Sequence, residues 1–210
     1  MKYIIMCGGH YAEWGKLSRW ESKIKGEPLV KRTIRLLQKC GVEDIAISST
    51  DPKLKKYKVP ILTHDNAFDT ADLDHTHWWD GFYPMNEPVC YIYGDVYFSE
   101  YAIKTIVDFT TDNIMFFASI APFDPRYIKR WAEPFAFKVV DTEHFHNSLR
   151  MLTEYYDRGL FNRHPCSWEL WQVIKNTPLN EIRHNYCGIS DYTCDIDTPD
   201  DIDRLEAALS

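Results

Sequence analysis

The chain opens with an apolar run that ends in glycine. Tyr3-Ile4-Ile5-Met6-Cys7 passes directly into Gly8-Gly9, and Gly26-Glu27-Pro28-Leu29 then opens a helix-like segment. An apolar run this short, bounded by glycine, predicts a strand buried on both faces. Glycines at its end carry no Cβ, so their N–H groups can turn toward a phosphate. The same pair also suits an ordinary turn.

The segments beyond Gly26 narrow the fold. Pro28 suits a helix start, Leu29, Thr33, Leu36 and Leu37 recur at helical spacing up to Cys40, and Gly41 supplies a stop. Strands are predicted over Asp44 to Ser49, Val59 to Leu62, Pro88 to Tyr93, Asn113 to Ile120 and Ala136 to Val140, the last able to run antiparallel. Residues 10–25 read as a loop, and Leu54 to Tyr57 as a short helix. Longer helices are predicted over Ser99 to Phe109, His144 to Gly159, Pro165 to Ile174 and Pro199 to Leu209. Strands alternating with helices predict an α/β fold: a three-layer α/β/α, Rossmann-like arrangement around a mostly parallel mixed sheet. With 210 residues, 45% of them hydrophobic, one domain over 1–210 is expected.

Charge and cysteine usage exclude some classes. A net charge of -7 argues against a sequence-independent grip on nucleic acid. It leaves room for an anionic small substrate, since basic residues cluster between Lys16 and Lys39. The apolar opening is too short for a signal peptide or membrane span, so no membrane association and a cytoplasmic location are expected. The six cysteines form no CxxC pair and read as free thiols.

Several residues could do chemistry. Asp95 follows the fourth strand, at the strand end where ligands bind in open parallel sheets; it could hold a magnesium ion that bridges phosphates, or cap the next helix. Asp195 and Asp197, two residues apart, point their carboxylates the same way if extended, although Asp197 or Thr198 could equally cap the last helix. Lys16, Arg19, Lys23 and Lys25 could neutralise charge on a triphosphate, or be solvated surface charges. His64, His75 and His77 with Asp65, Asp72 and Asp74 have ligand types for a transition metal, though polar loop residues are the commoner case. Cys166 beside His164 could form a thiol site, but nothing in the sequence orients them. Trp78-Trp79 and Trp168/Trp171 could stack a base or pack a core.

These residues resemble the sugar-phosphate nucleotidyltransferases and CMP-sugar synthetases. Tyr3-Ile4-Ile5-Met6-Cys7-Gly8-Gly9 is similar to the family's first strand and glycine turn. Ser18 to Leu29 is similar to its lysine-containing loop and Gly-x-Pro-Leu, with Arg19 at the lysine's place. Asp69-Thr70-Ala71-Asp72 looks like the Gly-Thr-Ala segment, Gly94-Asp95 like the metal-binding aspartate, and Asp195-Ile196-Asp197-Thr198-Pro199-Asp200-Asp201 like the Asp-x-Asp-Thr-Pro-Glu-Asp ending. His10-Tyr11-Ala12-Glu13-Trp14 replaces the family's short Gly-x-x-Arg loop, and residues 110–185 match nothing recognisable.

The resemblance implies a nucleotidyltransferase (glycosyltransferase-A-type) fold and transfer of NMP from an NTP to a small phosphorylated sugar or alcohol, with Mg2+ as cofactor. Cys7, Gly8, Gly9, Arg19, Thr70, Ala71 and Asp72 would bind nucleotide. Arg19, Lys23 and Asp95 would be catalytic, and Asp95, Asp195 and Asp197 would hold metal. The region from Phe123 to Tyr186 would form the acceptor pocket, and a homodimer is allowed, as in several members. A nucleotide-sugar-dependent glycosyltransferase and a nucleotide-binding regulator without turnover are the alternatives.

Overall fold

The structure is a computed structural model that describes residues 1–8, 14, 18–63, 77–120, 132–179 and 185–210. Strand β1 (Lys2–Met6) is its axis. It pairs in parallel with β4 (Ile45–Ser48) on one side and with β6 (Val89–Tyr93) on the other. A strand between two partners, with helices on both faces, has no polar side; this accounts for the unbroken apolar run at the start of the chain. The remaining sheet strands are β5 (Ile61–Leu62), β8 (Ile114–Ser119), β9 (Pro134–Val139) and β10 (Cys187–Ile189). The seven-stranded order is β10-β8-β9-β6-β1-β4-β5. β9 runs antiparallel to both its neighbours, and the other pairings are parallel.

Alternation along β1 divides the core. Ile5 joins Val30, Leu37, Ile92, Ile103 and Ile106 beneath helices α1 (Leu29–Lys39) and α2 (Glu100–Asp108). Ile4 points the other way and joins Tyr91, Phe116, Phe137, Phe145 and Trp171 beneath α3 (Thr142–Asp157) and α4 (Ser167–Ile174). Each large side chain so buried contributes about 1.5–3 kcal/mol. Trp168 and Trp171 therefore belong to the core. A third, smaller cluster packs α5 (Pro199–Ala208) against the start of α1 through Trp14, Leu29, Ile196 and Leu205. No helix among the described residues is long and apolar enough to cross a membrane.

Some expectations change. Within the predicted loop 10–25, Arg19–Glu21 forms a 3-10 turn and Lys23–Ile24 a short strand, β2, antiparallel to β3 (Glu27–Pro28). Lys25 and Gly26 both have positive φ, as the type I′ hairpin joining β2 to β3 requires. The third predicted strand shrinks to Ile61–Leu62. The helix expected from His144 begins at Thr142, because Asp141 accepts the His144 N–H at 2.9 Å. The fourth helix begins at Ser167, two residues later than expected, and β10 and the two-residue β7 (Val96–Tyr97) had no recognisable periodicity.

Candidate active site

The carboxyl ends of β1 and β6 open on a cavity of about 260 Å3 lined by Met6, Gly8, Arg19, Tyr93, Asp95 and Asp197, among others. Gly94 makes this geometry possible. A Cβ there would sit 2.4 Å from the Met6 carbonyl oxygen and 2.6 Å from the Cys7 sulfur, so only glycine lets β6 turn so close to β1. The Gly94 N–H donates to the Met6 carbonyl at 2.9 Å, and the turn delivers Asp95 to the cavity.

Asp197 arrives from the far end of the chain. Strand β11 (Cys194–Asp195) pairs antiparallel with β7, and the Ile196 N–H donates to the Asp95 carbonyl at 2.9 Å. Asp201, buried in the first turn of α5, accepts the N–H groups of Asp197 (3.1 Å) and Thr198 (2.8 Å) and the Thr198 hydroxyl (3.0 Å). Thr198 and Asp201 thus form a capping box that orients the residue before the helix.

Arg19 lies between the two acidic groups. Its guanidinium contacts Asp95 at 2.8 Å and Asp197 at 3.0 Å. The Arg19 side chain is 9% exposed, Asp95 19% and Asp197 40%, so the network is buried at the arginine and opens toward Asp197. A planar fork suits this bridging role better than a lysine would. Asp197, Asp195 and Glu133 bring carboxylate oxygens within 4.8 Å of one another. Oxygen donors of this kind suit a hard divalent cation such as Mg2+.

The other wall is aromatic. Trp78 and Gly81, from a 3-10 turn over Trp78–Gly81, line the cavity together with Pro134, Cys166 and Ser167. The Trp78 indole N–H donates to the Pro165 carbonyl at 2.7 Å, and that of Trp79 to Thr153 Oγ1 at 2.9 Å, which fastens the turn to the segment leading into α4 and to α3. Tyr93 and Ser167 share a hydroxyl hydrogen bond of 2.6 Å across the cavity wall. Burial pushes the Cys166 thiol up, with Glu169 beside it acting the same way, so little of it is thiolate at neutral pH. His164 Nδ1 lies 3.2 Å from the Pro165 carbonyl, and His77 stacks on Trp79 at 4.3 Å.

The residues singled out in the sequence fare differently. Arg19, Asp95, Asp195, Asp197 and Gly8 line one cavity. Cys7 is buried behind it, where desolvation and then Asp95 hold its thiol far above the usual range. Lys23 stands exposed on β2 and is not among the lining residues. Gly9, Thr70, Ala71 and Asp72 lie outside the described residues, as do His10 to Glu13, Lys16, His64, Asp65, Asp74 and His75. Of the stretch expected to supply an acceptor pocket, Pro134, Cys166 and Ser167 reach the cavity. Glu133 was not foreseen: a single glutamate before a strand carries no motif.

No family model matches the sequence, and no protein of curated function matches it. Solved structures do. CTP:phosphocholine cytidylyltransferase from Streptococcus pneumoniae is 17% identical, with a TM-score of 0.57 over 100% of this chain and 99% of that one. A glucose-1-phosphate thymidylyltransferase from Bacillus anthracis is 16% identical, with a TM-score of 0.59 over 99% of this chain and 94% of the other. The inositol-1-phosphate CTP transferase of T. maritima is 13% identical, with a TM-score of 0.59 over 99% and 95%. At these identities the likeness is one of fold, and that fold is the α/β fold of nucleotidyltransferases.

Proposed function

We propose that this protein transfers a nucleoside monophosphate from an NTP to a small phosphorylated sugar or alcohol. The observation that carries the proposal is the meeting of Asp95, Asp197 and Arg19 on one cavity at the strand ends of a nucleotidyltransferase fold. An acceptor phosphate oxygen attacks the α-phosphorus, the bond from that phosphorus to the bridging oxygen breaks, and pyrophosphate leaves. Little of this needs covalent help from the protein; positioning and charge neutralisation dominate.

Gly8 lets the backbone approach the nucleotide, with Gly9, Thr70, Ala71 and Asp72 proposed on the nucleoside side. Arg19 would meet the triphosphate from the cavity wall, and Lys23, exposed on β2, is proposed to add positive charge on the approach to it. Asp195 and Asp197, with Asp95, would hold Mg2+, which when bound neutralises charge on the phosphates. Trp78, Tyr93 and Ser167 form the wall proposed to receive the acceptor. The glycosyltransferase alternative gains nothing: the position two after Asp95 is Tyr97, buried in β7, where an Asp-x-Asp metal motif would need a second carboxylate.

Pyrophosphate release from the NTPs with a panel of phosphorylated sugars and alcohols tests the proposal. One pairing should turn over with magnesium, and Asp95→Ala should reduce its kcat by about 100-fold or more. Silence across the whole panel, or an undiminished Asp95→Ala enzyme, would refute it.

A further inference from the structure

Glu133 precedes its strand, yet it lies at the edge where the parallel strands of the sheet end. Ligands in parallel sheets lie at the carboxyl ends of strands. Because β9 runs against β6, its beginning, not its end, reaches that edge, and Glu133 immediately precedes it. The residue is 3% exposed, an uncommon setting for a carboxylate.

Its surroundings hold it on both sides. The Glu133 N–H donates to Ser119 Oγ at 2.7 Å, and its carbonyl accepts the Ser119 N–H at 2.9 Å, so the backbone is clamped to the end of β8. The side chain reaches across and Oε2 accepts the Asp195 N–H at 2.9 Å. β11 is only two residues long, and its ladder partner is the equally short β7. So short a ribbon fixes its own position poorly. A charged acceptor on a clamped backbone supplies a strong hydrogen bond from the main sheet to the strand that carries Asp195 and leads to Asp197.

Resting on the function proposed above, we infer that Glu133 is a positioning residue. Its carboxylate ties Asp195 to β9, and so sets the separation of the Asp195 and Asp197 carboxylates. Glu133→Gln keeps an acceptor for the Asp195 N–H and removes the charge. Glu133→Ala removes both. Ser119→Ala loosens the clamp without touching Glu133's side chain, and serves if Glu133→Ala fails to fold.

Two readouts separate this inference from the proposed reaction: Mn2+ affinity measured by electron paramagnetic resonance without substrates, and kcat at saturating NTP. Glu133→Gln removes one charge of the acidic group but keeps the bond to the Asp195 N–H, so its loss of Mn2+ affinity and of kcat should fall clearly short of that in Glu133→Ala. Glu133→Ala should weaken Mn2+ binding about tenfold or more and lower kcat by a similar factor at unchanged KM for NTP, and Ser119→Ala should fall between. A Glu133→Gln variant as impaired as Glu133→Ala would overturn the positioning role and make the charge itself the requirement. Unchanged Mn2+ binding in Glu133→Ala would also overturn it. A wild type that obeys this Mn2+ order but transfers no nucleotide would sink the proposed reaction and leave Glu133's role standing. A wild type that neither binds Mn2+ nor turns over sinks both.

Discussion

One guanidinium determines how the site behaves before any ligand arrives. Arg19 bridges Asp95 and Asp197, at 2.8 and 3.0 Å, and offsets one of their two charges. A divalent cation entering between those two carboxylates must displace it, and a buried arginine does not lose its proton. Replacement of Arg19 by methionine leaves two carboxylates facing one another without their cation. The variant should therefore bind Mn2+ about tenfold more tightly in the absence of nucleotide, a gain of about 1.4 kcal/mol, while its pyrophosphate release falls. Titration of Mn2+ into both proteins, monitored by paramagnetic resonance, measures it; equal affinities would show that Arg19 does not guard this position. The arginine was visible in the sequence as one of four basic residues after the glycine turn. Its bond to both aspartates was not, because spacing along a chain says nothing of side chains that meet across 178 residues.

At the scale of elements, the regular parts were legible. The apolar run of β1, the helical spacing of Leu29 to Leu37 and the Ser99 cap each leave a local signature, and α1, α2 and the central strands lie where those signatures fall. Short pieces held by tertiary contacts left none. β7 and β11 exist as two residues each because they pair with one another, and β10 because it completes the edge beside β8. Glu133 went unseen for a related reason, since only the reversed direction of β9 brings it to the strand-end face. Gly94 lies between the two cases: Gly-Asp after a strand reads as a turn, but the 2.4 Å approach to the Met6 oxygen comes from packing. Gly94→Ala should cost about 3 kcal/mol, the upper part of the range for overpacking, because backbone rather than a flexible side chain must yield. At about 2–4 °C per kcal/mol that is a fall in Tm of about 6–12 °C. Thermal unfolding together with the transfer assay should show both stability and turnover reduced, since Asp95 shifts with the turn. A variant with wild-type Tm would mean the turn relaxes freely.

Considered whole, the molecule is acidic, yet it is proposed to receive a polyanion. With a net charge of -7, long-range attraction cannot recruit a triphosphate, so selectivity must be local. The cavity gathers its acidic side chains on the β6 and β11 side and its aromatic wall on the α4 side, and α5 and Trp14 close the structure behind the acidic group through the Trp14 indole bond to the Asp197 carbonyl at 2.8 Å. Metal and nucleotide should therefore bind as a unit: the cation screens the carboxylates from the phosphates, and the phosphates offer Arg19 an alternative partner. Magnesium alone should raise Tm little, an NTP alone little, and the matched NTP with magnesium by more than the sum. At a ligand concentration a hundredfold above Kd, binding to the native state stabilises by about 2.7 kcal/mol, or about 5–11 °C at this chain length. A thermal-shift matrix of CTP, UTP, GTP, ATP and dTTP, each with and without magnesium, measures this directly. Additive shifts would mean that Arg19 and the cation act on separate positions, and a flat matrix would overturn nucleotide binding by this protein.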